Sequence, residues 1–288
     1  MSLGRQDVKT VEAFEVTKGG TGSKPEIEPR LRADGITVGY DQRIISKDLD
    51  VSIPAGSFTV IVGPNACGKS TLLRALSRLL APSSGQVVLD GKLISSYPAK
   101  EVSRRLGLLP QTSIAPDGIR VADLVARGRY PHQKLFQHWS RRDEAAVIRA
   151  MEATATTEIS HRLVDELSGG QSQRVWVAMV LAQETPLILL DEPTTFLDVA
   201  HQMEILELFR TLNKDGDRTL VAVLHDLNQA SRYASHMIAM QDGQIVAQGP
   251  PKTVITAELV EDVFNLPCLI IDDPVTGTPL VIPRVSRT

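Results

Sequence analysis

Gly63-Pro64-Asn65-Ala66-Cys67-Gly68-Lys69-Ser70 stands between a near-continuous apolar run, Ser57 to Val62, and leucines at helical spacing, Leu72, Leu73, Leu76, Leu79 and Leu80. The order is strand, glycine loop, helix, with the helix expected over Gly68–Leu80 and stopped by Pro82 and the turn residues Ser83 to Gly85. A glycine, four residues, then Gly-Lys-Ser is the spacing that curls backbone N–H groups inward toward phosphate oxygens, with the positive end of the helix behind them. Lys69 then reaches the β- and γ-phosphates and the Ser70 hydroxyl ligates Mg²⁺. Gly63, Pro64, Asn65, Ala66, Cys67, Gly68 and Thr71 are the rest of the expected nucleotide cradle. Cys67 sits two residues before Lys69 at a helix start, a setting that favours the thiolate and predicts reactivity toward alkylating reagents. The alternative is a buried, inert cysteine, a common fate of that side chain.

Outward from this loop the pattern is β/α alternation. On its N-terminal side lie a strand from Leu31 to near Tyr40 and another through Leu49 and Val51. Leu187-Ile188-Leu189-Leu190-Asp191-Glu192 is a second buried strand, and it delivers two carboxylates at its C-terminal edge, where such sheets bind ligands. Asp191 is assigned to Mg²⁺ and Glu192 to polarising the water that attacks the γ-phosphate. A helix at Val199–Leu212, a strand at Leu220–Leu224, a short helix after Asp226 and a strand pair around Asp242 and Gly243 continue the alternation, which implies a mostly parallel sheet covered by helices. Between about 112 and 168 the apolar runs shorten and helical periodicity takes over, in Val121–Ala126 and Arg141–Ala153, as expected of an inserted helical subdomain. Residues 1 to about 30, with Gly19, Gly20, Gly22, Ser23 and Lys24, are expected to be a flexible segment, and 251–288 a C-terminal extension with a helix and one or two strands.

Bulk properties narrow the classes of function. The 288 residues are 42% hydrophobic and 23% charged, with a formal net charge of −3, enough apolar material for a full core. No apolar run approaches a membrane span, so any service to a membrane is expected to be by docking. No Lys/Arg block offers a phosphate-tracking stripe, so nucleic acid is not an expected partner. Two cysteines, Cys67 and Cys268, give no metal-ligand spacing and suit a reducing compartment.

Leu167-Ser168-Gly169-Gly170-Gln171, followed at helical spacing by Val175, Met179 and Ala182, is decisive. A capping serine and two glycines at a helix start make a second anion-binding terminus, although one nucleotide needs only one P-loop. Here the sequence resembles the ABC ATPase family, whose signature motif reads LSGGQ, over about residues 31 to 250. The resemblance implies a RecA-like P-loop ATPase core with an antiparallel β subdomain and an inserted α-helical subdomain. It also implies a head-to-tail dimer with a second copy of the chain, in which Ser168, Gly169, Gly170 and Gln171 contact the γ-phosphate held by the partner's P-loop, so that two ATP molecules are sandwiched.

The family's other elements map one by one. Tyr40 stands where the family has an aromatic that stacks on adenine. Gln111 matches the Q-loop glutamine that senses Mg²⁺ and water and hinges the helical subdomain. Asp198, in Thr195-Phe196-Leu197-Asp198, matches the loop that crosses the dimer interface, with Thr195 and Phe196 departing from the commoner small residues. His225 matches the switch histidine that contacts the γ-phosphate and orients Glu192. Gly128-Arg129-Tyr130-Pro131-His132, Glu192 to Asp198, His225 to Gln229 and Asp273 to Gly277 resemble the ATPases of ferric-siderophore importers, with vitamin B12 and haem importers as neighbours. The resemblance implies an ATP-hydrolysing subunit on the cytoplasmic face of the cell membrane, partnered by transmembrane permease subunits and, through them, a substrate-binding protein. A soluble ABC ATPase acting on DNA or ribosomes is the other class, and its usual long coiled coil or second cassette has no counterpart in this chain.

Overall fold

The computed structural model describes residues 29–41, 43–133, 139–216 and 218–284. Residues 1–28 of the expected flexible segment lie outside the described residues. In chain order the elements are β1 (Leu31–Tyr40), β2 (Arg43–Ile53), β3 (Phe58–Val62), α1 (Lys69–Leu76), β4 (Ser84–Leu89), β5 (Lys92–Leu93), α2 (Ala99–Arg105), β6 (Leu106–Leu109), α3 (Val121–Ala126), α4 (Arg141–Ala153) and α5 (Gly169–Ala182). They continue with β7 (Leu187–Asp191), α6 (Val199–Gly216), β8 (Thr219–Val223), α7 (Leu227–Tyr233), β9 (His236–Gln241), β10 (Gln244–Gly249), α8 (Pro251–Val254), α9 (Ala257–Phe264), β11 (Cys268–Asp272) and β12 (Pro279–Pro283).

The central sheet has the order β10-β9-β3-β8-β7-β6, parallel throughout except for β10 at one edge. Every residue of β3, β7 and β8 is buried, as strands covered on both faces require. Alternate side chains feed two cores. Ile188 and Leu190 join Val60, Val62, Leu220 and Ala222 under α5, α6 and α7. Leu187 and Leu189 join Ile61, Val221 and Val223 under α1 and an antiparallel sheet of order β2-β1-β4-β5.

The register matters most for function. Leu109 pairs with Leu190, Asp191 with Val223 and Ile61 with Val223. The C-terminal ends of β6, β7, β8 and β3 therefore stop at one level, so Gln111, Glu192, His225 and the Gly63–Ser70 loop leave the sheet at the same edge.

Beyond the sheet, α3, α4 and α5 pack on one another, and capping explains where two of these helices begin. Ser140 caps α4 reciprocally with Asp143, and Ser168 caps α5 reciprocally with Gln171. Two local expectations need correcting. Helix α1 ends at Leu76, not Leu80, because Arg78 turns left-handed at φ 65° and the Leu79 and Leu80 N–H groups fold back onto the Arg74 carbonyl. The C-terminal region holds two short helices, α8 and α9, before the β11–β12 hairpin.

Candidate functional site

Gly63 leaves β3 at φ 156°, and a Cβ there would lie 2.2 Å from the Met240 carbonyl oxygen, so only glycine lets the loop pass this strand. Ala66 at φ 62° and Gly68 at φ 105° complete the curl. Lys69 is buried, and its ammonium donates to the loop's own carbonyls, at 2.9 Å to Gly63 and 2.7 Å to Pro64. The loop thus holds its lysine folded over a concave backbone. The Ser70 hydroxyl donates to Asp191 Oδ1 at 2.9 Å, joining the end of β7 to the start of α1. Burial pushes the Asp191 carboxyl up, with the Glu192 charge adding and the Ser70 hydrogen bond opposing.

Glu192 takes a left-handed φ of 54°, a cost of about 1–3 kcal/mol for a residue with a side chain. That turn aims its carboxylate at His225, whose Nε2 lies 2.7 Å from Oε1, while the Thr195 hydroxyl donates to Oε2 at 3.2 Å. Burial raises the Glu192 carboxyl, but the His225 hydrogen bond and charge, with hydrogen bonds from Gln111 and Thr195, outweigh it and hold the group below its usual range. The carboxylate is therefore in its base form at neutral pH.

These parts open on one cavity of 790 Å³, walled by Asn65, Ala66, Gly68, Lys69, Ser70, Thr71, Gln111, Glu192 and His225, with Arg43 and Ile45 opposite. Sequence reasoning missed Arg43 and Ile45, which reach the site only because the β1–β2 hairpin folds back with Tyr40 paired to Arg43. Tyr40 itself stands exposed outside that wall, its hydroxyl accepting from Arg74 at 3.1 Å. Gly63, Pro64, Cys67 and Asp191 do not line this cavity.

Cys67 overturns the expected reactivity. It is only 5% exposed, packed with α1 and β9, and its carbonyl accepts from the Gly243 N–H at 3.0 Å. Burial pushes the thiol up, more than nearby Lys69 lowers it. Hydrogen bonds from the Lys69 and Cys67 backbone N–H groups at the helix start also lower it, but burial outweighs them.

The remaining candidates gather in a second, separate cavity of 330 Å³. Ser168, Gly169, Gly170 and Gln171 at the start of α5 form one wall, and Phe196, Leu197 and Asp198 form the other, with Arg174 and His201. Ser168 Oγ accepts from the Gln171 N–H at 3.3 Å, and Gln171 Oε1 accepts from the Ser168 N–H at 3.2 Å. Phe196, left-handed at φ 68° and 79% exposed, lies against Gly169. Asp198 accepts from the backbone N–H of His201 at 3.0 Å and from its ring Nδ1 at 2.8 Å, in that order the main reasons its carboxyl is held low. Arg174 and His201 have no sequence signal for this wall, since only the fold sets α5 beside the loop that holds Phe196.

The Gly128–His132 stretch lies outside both cavities. Arg129 is buried, pairing with Asp143 and Glu184 at 2.9 Å each, and it donates to the Ala182 carbonyl at 2.7 Å. His132 Nε2 is 2.8 Å from the Gln183 carbonyl. This stretch ties the end of α5 to the start of α4.

A phosphate-cradling loop, a carboxylate pair at the next-but-one strand end and a histidine between them define a P-loop nucleoside-triphosphate hydrolase. The chain belongs to the ABC transporter family, which matches it over residues 46–195, and it is an ATP-binding subunit with ATPase activity. It is similar to the ferric enterobactin transport ATP-binding protein of Escherichia coli strain K12, 59% identical over 259 residues, covering 90% of this chain and 95% of that one. The petrobactin import ATP-binding protein of Bacillus anthracis is 49% identical over 90% of this chain and 94% of its own length. Among solved structures, the dimeric post-hydrolysis state of an ATP-binding cassette bound to ADP and Pi superposes with a TM-score of 0.69 at 26% identity, covering 76% of this chain and 98% of that one. Among the described residues no helix is long and apolar enough to cross a membrane.

Proposed function

We propose that this chain is the motor of an iron(III)-siderophore importer, working as a head-to-tail dimer docked on transmembrane permease subunits at the cytoplasmic face of the membrane. The permease in turn receives cargo from a substrate-binding protein. The observation that carries the reading is the presence of two separate cavities on the same chain, one at the Gly63–Ser70 loop and one at the start of α5. The P-loop side has the base and the histidine, the α5 side has a capped, glycine-bearing helix start, and a second copy turned through a twofold axis would set each against the other. The similar transport ATP-binding proteins for enterobactin and petrobactin support the cargo class.

Each side chain then has a role. Asn65 to Gly68 cradle the phosphates, with Lys69 swinging from its own loop carbonyls onto the β- and γ-oxygens. Ser70, Asp191 and Gln111 are the oxygen donors that would hold Mg²⁺, and a buried carboxyl already bound to a hydroxyl fits a hard cation. Bound there, Mg²⁺ neutralises developing phosphate charge. Glu192 accepts a proton from the attacking water, and His225 fixes the carboxylate's orientation and contacts the γ-phosphate. Ser168 to Gln171, with Asp198, close on the partner's γ-phosphate, and hydrolysis reopens the pair.

The test is Glu192→Gln, which keeps size and hydrogen bonding but removes the base. ATP hydrolysis should fall by at least about 10²-fold while ATP binding persists and the variant accumulates as an ATP-bound dimer in size-exclusion chromatography. Near-parent turnover would remove Glu192 from this role, and an ATP-bound monomer would remove the split site.

A further inference from the structure

Helix α7 starts directly after the Leu224-His225-Asp226 strand exit, and at seven residues it is too short to hold its own place. Asp226 caps it, accepting from the Asn228 and Gln229 N–H groups at 2.8 and 2.9 Å. Whatever fixes this helix start fixes His225, whose imidazole is about half exposed and reaches Glu192 at 2.7 Å.

The C-terminal β11–β12 hairpin grips the helix at two points. The Asn228 side-chain amide reads both backbone groups of Val281, accepting from its N–H at 2.7 Å and donating to its carbonyl at 3.2 Å, as a neighbouring strand would. One turn on, Arg232 donates to Asp273 Oδ2 at 2.7 Å. Asp273 is no free surface acid: its other oxygen accepts from the Val275 and Thr276 N–H groups at 2.8 and 3.3 Å, so it is part of the turn that closes the hairpin. Between the two grips Val281 and Ala230 are buried in one apolar cluster. On the opposite side Gln229 donates to Gln202 Oε1 at 2.7 Å, and Gln202 donates in turn to the Leu197 carbonyl at 3.1 Å, beside Asp198.

We propose that the C-terminal hairpin braces α7, and that Asn228 and Arg232 are positioning residues that hold His225 on Glu192. The chain's tail thereby becomes part of the hydrolytic apparatus without touching nucleotide. The inference rests on the role given to His225 above. Its physical basis is tolerance: a hydrogen bond of 2.7 Å is lost if the helix start drifts by about 1 Å, and misplacement of that size costs up to about 10²-fold in rate.

The experiment measures ATPase kinetics and folded fraction of the full chain in the parent and in Asn228→Ala, His225→Ala and the double variant. His225→Ala should lower kcat by about 10²-fold. Asn228→Ala should lower kcat per folded molecule by about tenfold with KM for ATP within about twofold, the pattern of an interaction felt only in the transition state. Adding Asn228→Ala to His225→Ala should cost nothing further. Parent kcat in Asn228→Ala, or an equal loss with and without His225, overturns the brace. Parent kcat in His225→Ala instead overturns the site reading itself. Where Asn228→Ala lowers the folded fraction, Arg232→Met and Arg232→Lys decide, since both leave the Asp273 turn intact: loss of kcat in Arg232→Met with recovery in Arg232→Lys, which can still donate to Asp273, supports the brace, and parent kcat in Arg232→Met overturns it.

Discussion

Replacing Arg129 by Met tests the reading that the Gly128–His132 stretch is a structural tie. The guanidinium is 1% exposed and bonded to Asp143, Glu184 and the Ala182 carbonyl, while Asp143 and Glu184 are 10% and 25% exposed. Methionine keeps most of the volume but leaves two half-desolvated carboxylates facing an apolar group. Breaking a buried pair in this way costs about 3–5 kcal/mol. Asp143 keeps the Ser140 hydroxyl at 2.6 Å and Glu184 keeps Arg149 at 2.8 Å, which places the loss at the lower end, about 3 kcal/mol. At about 2–4 °C per kcal/mol for a chain of this size, Tm should fall by about 6–12 °C. The pH dependence has a definite sign. Burial raises both carboxyls, but hydrogen bonds from Ser140 and Arg149 and the hydrogen bond and charge of Arg129 hold them below their usual range. Their contribution is therefore complete above the unfolded values of about 4 and is lost as pH falls through the lower folded values. Urea unfolding should show the gap between parent and variant widest at pH 7 and shrinking below pH of about 4. A gap under about 1 kcal/mol at pH 7, or one that grows on acidification, would refute the buried pairing.

Three further outcomes test the two cavities and the Gly63–Ser70 loop. Lys69→Ala should weaken ATP binding by about 10- to 100-fold in equilibrium titration, since it removes the loop's charge-assisted donor, and unchanged affinity would contradict the cradle. A Ser168→Arg chain mixed with a Lys69→Ala chain can rebuild one intact composite site, so partial ATPase activity should return; no rescue with both chains folded would mean that each site is self-contained. Cys67 in the native chain should resist maleimide until denaturant is added, and rapid labelling without loss of structure would show that its burial is not maintained in solution.

The parts legible from sequence are those whose chemistry is local. The Gly63–Ser70 loop and the all-apolar strand ending in Asp191 and Glu192 each announce themselves within a few residues. The cap at Ser168 does the same, because Gln171 stands three residues on. What sequence could not carry depends on partners far along the chain. Strand β6 has four residues and no pattern of its own, yet its register with β7 is what brings Gln111 to the site. Arg43 and Ile45 gain a role through a hairpin, and Cys67 loses one because α1, β9 and the turn before β10 close over it. Arg129 reads in sequence as part of a cargo-linked motif, but its partners are 14 and 55 residues away and make it a rivet.

The loop from Asp191 to Asp198 links the two cavities, with Glu192 lining the first and Phe196, Leu197 and Asp198 the second. In eight residues it carries Asp191, Glu192 and Asp198, the residues proposed above for Mg²⁺, for proton acceptance and for the partner copy, and two of its non-glycine residues, Glu192 and Phe196, are held left-handed at φ 54° and 68°. Such conformations cost about 1–3 kcal/mol each and persist only where neighbours over-determine them. Those neighbours are identifiable: His225 and Thr195 on the Glu192 carboxylate, Gln202 on the Leu197 carbonyl, and Gln173 on the Pro193 carbonyl at 3.0 Å. His225 and, through Gln229, Gln202 are both anchored on α7, while Gln173 belongs to α5. A displacement of α5 when a nucleotide closes the second cavity would therefore act on the same strained loop that aims Glu192 in the first. In the proposed dimer, coupling between the two ATP sites needs no longer path than this loop, because one short backbone segment with two costly turns borders both cavities.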